Sequence, residues 1–295
     1  MKNSPLPITR KSSEDDPALL AEIIGLYAGE PDLHELPPLI FSSVSRLAGA
    51  DVVTYAEFHQ ATQDFRSLVS VDDAPERRAV AMAAFARHMH THPFWQGTPD
   101  FFGAHAWRES DFFSDTEFPA LPMAQDAFLP SGARRLMTIV IPHNDYVLTV
   151  TAVRIIGRPA FSDAERDRME AFRSHLLRVY RQAQERTIAR LTPVERLRYA
   201  FPDLTPRQLD VASWIARGKS NDEIAAILEV GIDTVKAHAK AISGKLGADS
   251  RVGTAVLAHT ALPFARFPPL WKLGVGAWGT EEGQVVRVGE GAAER

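Results

Sequence analysis

Cysteine is missing from all 295 residues, which excludes disulfide staples, thiolate metal sites and switching by thiol oxidation. No stretch approaches the roughly 18 apolar residues that a membrane-spanning helix needs. The polar opening MKNSPLPITRKSSEDDP carries no signal-peptide apolar core. A cytoplasmic protein without membrane contact is expected. Catalytic signatures are lacking too, since no Ser/His/Asp group or carboxylate pair stands in a motif context. Gly218-Lys219-Ser220 ends like a phosphate-binding loop, but Ser213 occupies the place of its first glycine. His88, His90 and His92 alternate, yet on a helix such positions point apart and no carboxylate cluster accompanies them. Neither enzymatic activity nor a cofactor or metal is expected. An excess of positive charge is also absent: 33 Lys and Arg face 37 Asp and Glu, a net charge of −4.

What is present is concentrated between Leu204 and Leu262. Thr205, Pro206 and Gln208 form a capping box with proline at the first helical position, and that helix runs to Arg217 before Gly218. Ser220 or Asn221 caps a short second helix with Ile224, Ala225 and Leu228 on one side. Gly231 turns the chain into a third helix. There Val235, Ala239, Ile242 and Leu246 form one narrow apolar stripe, while Lys236, Ala237, Lys240 and Gly244 lie opposite. Two cations one turn apart, separated by small side chains, suit close approach to base edges. Thr234, His238 and Lys245 lie along a flank where they could bind phosphate oxygens. A solvated cationic face is the plainer reading, and by itself the pattern does not choose. From Asp203 to Arg251 cations and anions balance at seven each, so affinity must come from local placement and from dimerisation.

Together these residues resemble the LuxR-type helix-turn-helix, a four-helix DNA-binding module. Leu204-Thr205-Pro206-Arg207, Gly218, Ser220-Asn221, Glu223-Ile224-Ala225, Thr234-Val235-Lys236, His238, Ile242 and Lys245-Leu246-Gly247 all fall at that family's spacings. The resemblance implies that Lys236, Ala237 and Lys240 face bases. It makes Lys219, Ser220, Asn221, Thr234, His238, Lys245 and Arg251 candidate phosphate contacts. The chain departs from the family at Gly231, where Ser or Thr is usual, and at Gly244 inside the third helix. An earlier LTPVE at Leu191 caps only a linker helix.

Upstream, the first 17 residues read as a disordered leader and a helix is predicted from Leu33 to Ala48. Strands are predicted over Val52 to Phe58, Phe65 to Val71, Arg134 to Ile141 and Tyr146 to Ile156. A helix from Pro75 to His90 and an irregular aromatic segment from Phe94 to Phe118 lie between the strand pairs. Ser162 and Glu165 cap a further helix whose Met169, Phe172, Leu176 and Tyr180 recur at helical spacing through Ala183. That stripe covers the sheet, forms a dimer seam, or does both. The order describes an α+β domain, an antiparallel sheet with helices to one side, followed by an all-α module. With FSDAERDRMEAF it is similar to a GAF-type domain, to which LuxR-type autoinducer-binding domains are also similar.

The expected organisation is a leader over 1–17, a GAF-like sensor or dimerisation domain over 18–183, a linker over 184–202, the reader over 203–262 and a tail over 263–295. A small, largely apolar ligand is expected near Tyr55, His92, Trp95 and Trp107, although the same rings could equally fill the core. The Trp-x-x-x-Tyr signature of acyl-homoserine lactone sites is missing, because Pro99 follows Trp95 and Asp111 follows Trp107. His92-Pro93 stands where that family carries Asp-Pro, so the carboxylate that would hold a ligand amide is lost. The expected partners are double-stranded DNA, a second copy of the chain, the small ligand and RNA polymerase. The alternative is a ligand-free dimerisation or docking platform in the N-terminal domain.

Overall fold

The structure is a computed structural model that describes residues 16–33, 35–59, 64–71, 75–88, 91, 105–143, 146–261 and 286–287. It divides into two compact units between Ala183 and Gln184. The expectations for His90, His92 and Trp95, for residues 1–15 and for most of the tail lie outside the described residues.

The first unit opens with α1 (Pro17–Ala28) and α2 (Leu36–Ala48), then β1 (Val52–His59), β2 (Asp64–Val69) and α3 (Pro75–His88). Next come β3 (Ala106–Arg108), several single helical turns that include α4 (Glu117–Ala120), β4 (Ala133–His143), β5 (Tyr146–Ile155) and the long α5 (Asp163–Arg190), whose residues to Ala183 belong to this unit. The strands lie antiparallel in the order β3-β4-β5-β1-β2, and β6 (Val286–Arg287) pairs with the outer edge of β2. The fold is the α+β arrangement expected.

The boundaries depart from expectation in three places. Helix α1 begins inside the expected leader, because Asp16 accepts bonds from the Ala18 and Leu19 amides and Pro17 sets the first helical φ. Helix α2 starts at Leu36 rather than Leu33, because Asp32 and Glu35 satisfy each other's amides at 3.1 Å each in a turn ahead of it. Strand β3 lies within the aromatic segment expected to be irregular.

The sheet is buried on both faces, which is why β4 and β5 read as near-continuous apolar runs. On one face Met137, Ile139, Ile141, Leu148, Val150, Ala152 and Val53 are completely buried. Helix α5 packs toward that face and tucks away its own stripe. Met169, Phe172, Leu176, Tyr180 and Ala183 have no exposed surface within a single chain, so the stripe covers the sheet. Arg154 ties this layer together. Its guanidinium donates to the Ala48 carbonyl at 2.8 Å, the Gly49 carbonyl at 3.2 Å and Glu165 at 2.5 Å, and lies 4.3 Å over the Phe161 ring. Gly49 ends α2 at φ 56°, and a Cβ there would stand 3.2 Å from Arg154 Nη2.

In the second unit α6 (Pro193–Ala200) precedes α7 (Pro206–Ala216), α8 (Asn221–Leu228), α9 (Ile232–Leu246) and α10 (Arg251–Thr260). All five helices share one core, in which Leu197, Val211, Ala212, Ile224, Val235, Ile242 and Ala258 are fully buried. The 193–200 segment is therefore not a mere linker. Its Leu197 packs with α7 and α10 residues because Thr192 and Glu195 cap it reciprocally and fix its entry.

Candidate functional site

Helix α9 is placed by its neighbours' capping. Thr205 and Gln208 form a capping box on α7, and Ser220 and Glu223 form another on α8. The Glu223 carboxyl is held down to about 2, first by the Ser220 amide, then by the Lys219 ammonium and the Ser220 hydroxyl. Gly231 precedes α9 with no side-chain cap, and Gly247 ends it at φ 66°. Val235, Ile242 and Leu246 face the core with half-buried Ala239, while Lys236, Ala237, Lys240 and Gly244 are exposed. A Cβ added at Gly244 would meet nothing within 4 Å.

The ten expected DNA contacts separate into two sets. Lys236, Ala237, Lys240 and Thr234 stand exposed on α9, and His238 is half-buried beside them. The others already hold the domain together. Lys245 donates to the Asp203 carbonyl at 2.6 Å and to Gln208 Oε1 at 2.8 Å. Arg251 donates to Asn221 Oδ1 at 2.8 Å and to the Lys219 carbonyl. Lys219 reaches Glu223 at 2.9 Å, and the Ser220 hydroxyl caps α8. One residue of the exposed face escaped the sequence reading: Asp233, whose carboxylate accepts from Lys236 Nζ at 3.1 Å. Its position two residues before Val235 was a sufficient signal.

Of the four expected ligand residues, His92 and Trp95 lie outside the described residues, and Tyr55 and Trp107 take opposite faces of the sheet. Register carries Trp107 across to Thr138, Thr138 to Thr151 and Thr151 to Thr54. Directly paired residues share a face, so Trp107 belongs with this row of hydroxyls. Tyr55, one residue along, faces α5. It is 2% exposed, donates to the buried Glu57 carboxylate at 2.9 Å and adjoins Tyr180. Burial first, then the Glu57 charge, pushes its phenol well above the ordinary value. Tyr55 is thus a core residue, and a shared pocket with Trp107 is ruled out by the two-residue period of the strand. On the Trp107 face Thr138 and Thr151 hydroxyls stand 2.9 Å apart, and Val140, Val147 and Phe112 pack beside Trp107. At the other end Phe113, Phe118, Leu121 and Phe128 pack on Leu136 and Val153. His88 Nε2 lies 2.8 Å from Asp126 Oδ2. Among the described residues no group of three or more His, Asp or Glu is arranged to hold a metal, and no helix is long and apolar enough to cross a membrane.

Residues 202–258 match the family described as bacterial regulatory proteins, luxR family, and the second unit therefore carries a LuxR-type helix-turn-helix domain. The HTH-type quorum sensing-dependent transcriptional regulator RpaR of Rhodopseudomonas palustris is 33% identical over 110 residues, 37% of this chain and 41% of that protein. The transcriptional regulatory protein LiaR of Bacillus subtilis is 45% identical over 56 residues, 19% of this chain and 26% of that one. This chain thus spans about two fifths or less of the length of these relatives. Among solved structures, SdiA in complex with octanoyl-rac-glycerol aligns with 85% of this chain and 97% of its own, at 18% identity and a TM-score of 0.42.

Proposed function

We propose that this protein is a cytoplasmic transcriptional regulator, not an enzyme, that binds double-stranded DNA through α9 and acts as a homodimer. The observation that carries the reading is the face of α9 in a LuxR-type domain: exposed Lys236 and Lys240, spaced by Ala237, with the opposite side committed to the core. In this reading the remaining expected phosphate contacts act mainly by holding α9 in place. Dimerisation is supported at α10, where Val252 and Val256 are 71% and 52% exposed one turn apart. RNA polymerase is the further partner such a regulator engages.

The first unit, read as a GAF-like sensor, takes a small, largely apolar ligand on the sheet face that bears Trp107. The support is chemical: Thr54, Thr138, Thr149 and Thr151 put hydroxyls beside the apolar Val140 and Val147, as ligand sites do. A ligand-free platform is the second reading, favoured by the stacked Phe118 and Phe128 rings that fill the far end of the same face. A thermal-shift screen of metabolites from the host separates them. A ligand that binds only the folded chain raises its stability by about 2.7 kcal/mol at a hundredfold excess over Kd. Stabilisation of the wild type but not of Trp107→Ala supports sensing, and no stabilisation by any fraction leaves the platform.

A further inference from the structure

We infer that Asp233 and Lys236 act as one unit that reads a single G·C base pair, with Lys236 on the guanine and Asp233 on the cytosine. The inference rests on the proposal that α9 enters the major groove. At about 100° per residue, Asp233 stands about 160° from the buried Val235 and Lys240 about 140° from it. Asp233 is therefore central on the exposed face, and its carboxylate is 91% exposed. A carboxylate carried into a groove walled by phosphates loses its water and gains repulsion unless it meets a donor. The donors on a major-groove floor are the exocyclic amines of cytosine and adenine.

Geometry selects the pair. Lys236 Nζ and Asp233 Oδ1 lie 3.1 Å apart, a donor and an acceptor side by side. A Watson–Crick pair offers the mirror image, an O6 acceptor and an N4 donor at the usual hydrogen-bond separation of about 2.9 Å. Docked edge to edge, the ammonium donates to guanine O6 and N7 while the cytosine amine donates to the carboxylate. A T·A pair presents a comparable O4 and amine, but adenine N7 beside its amine repels the carboxylate, and thymine gives the ammonium one acceptor instead of two. The acidic residue thus supplies discrimination, because it binds weakly wherever no amine faces it.

Selection of bound duplexes from a random library by the full-length chain tests this, repeated with Asp233→Ala and Lys236→Ala. The wild type is expected to select a motif with one G·C pair per half-site that both variants lose. For Asp233→Ala the G·C preference there falls by about 5- to 150-fold, and affinity for unrelated DNA is equal or higher because a negative charge is gone. Thermal unfolding without DNA confirms that each variant is folded. A motif unchanged in Asp233→Ala, or the two variants losing different base pairs, overturns the paired readout while leaving α9 as the reader. Absence of any wild-type motif overturns the reader and the pair together.

Discussion

Trp107 and Tyr55 stand on opposite faces of one sheet, because Trp107 registers through Thr138 and Thr151 with Thr54 and not with its neighbour. The two rings therefore respond differently to substitution. Tyr55→Phe removes the hydroxyl that donates to buried Glu57 and is expected to cost about 1 to 3 kcal/mol, with ligand-induced stabilisation unchanged. Trp107→Ala is expected to abolish that stabilisation. Urea unfolding with and without an active metabolite fraction reads both.

Much of the second unit was legible because its signals are local. Capping boxes at Thr205 and Ser220 and the Val235–Leu246 stripe specify their helices within a few residues of chain. Strand β1 was visible from alternation and β4 and β5 from their apolar runs, but the face each residue takes depends on which strands pair, and β1 lies between β5 and β2. No short-range pattern encodes that placement. The structural duties of Lys245 and Arg251 were hidden for the same reason, since their partners lie 42 and 30 residues away. Helix α1 was legible and overlooked: Asp16-Pro17 before an apolar run is a helix start.

Two substitutions separate support of α9 from contact by α9. Lys245→Ala removes two bonds to the start of α7 and is expected to lower stability by about 1 to 3 kcal/mol at 0.5 to 1.5 per bond, in the absence of DNA. Gly244→Ala meets no neighbour and is expected to stabilise the helix by up to about 1 kcal/mol. If Gly244 lies against DNA, its added methyl lowers operator affinity despite the gain. Calorimetry paired with binding titrations measures both.

Acid is expected to loosen the two units in different pH windows. His175 is held below its ordinary value of 6.5, first by burial and then by Arg178. The unfolded chain thus binds its proton more readily, and stability from the neutral ring is lost as pH falls below about 6.5. The Glu223 carboxyl lies at about 2 against an ordinary 4.5, so its contribution is complete above about 4.5 and vanishes as pH falls toward about 2. Glu223→Gln keeps the capping geometry and removes the charge. Its deficit in urea midpoint against wild type is expected at pH 6 and absent near pH 2, whereas a constant deficit would contradict the assignment.

The dimer surface is tested by contrast between helices. Leu176 is fully buried, so Leu176→Glu is expected to unfold the first unit, visible as lost cooperativity on heating. Val256→Glu changes an exposed residue and is expected to leave the fold intact while shifting the mass in light scattering from two chains to one. An unchanged dimer in folded Val256→Glu places the interface elsewhere.

The reading of α9 is tested most directly by anisotropy titrations of the selected operator and a scrambled duplex, in salt from about 50 to 200 mM. Wild type and the Lys236→Ala/Lys240→Ala double variant are compared at each concentration. The wild type is expected to prefer the operator, and the double variant to lose about 2 to 6 kcal/mol of that preference, at 1 to 3 for each base contact. A double variant that loses affinity equally for both duplexes, with the preference intact, would contradict base reading by this helix.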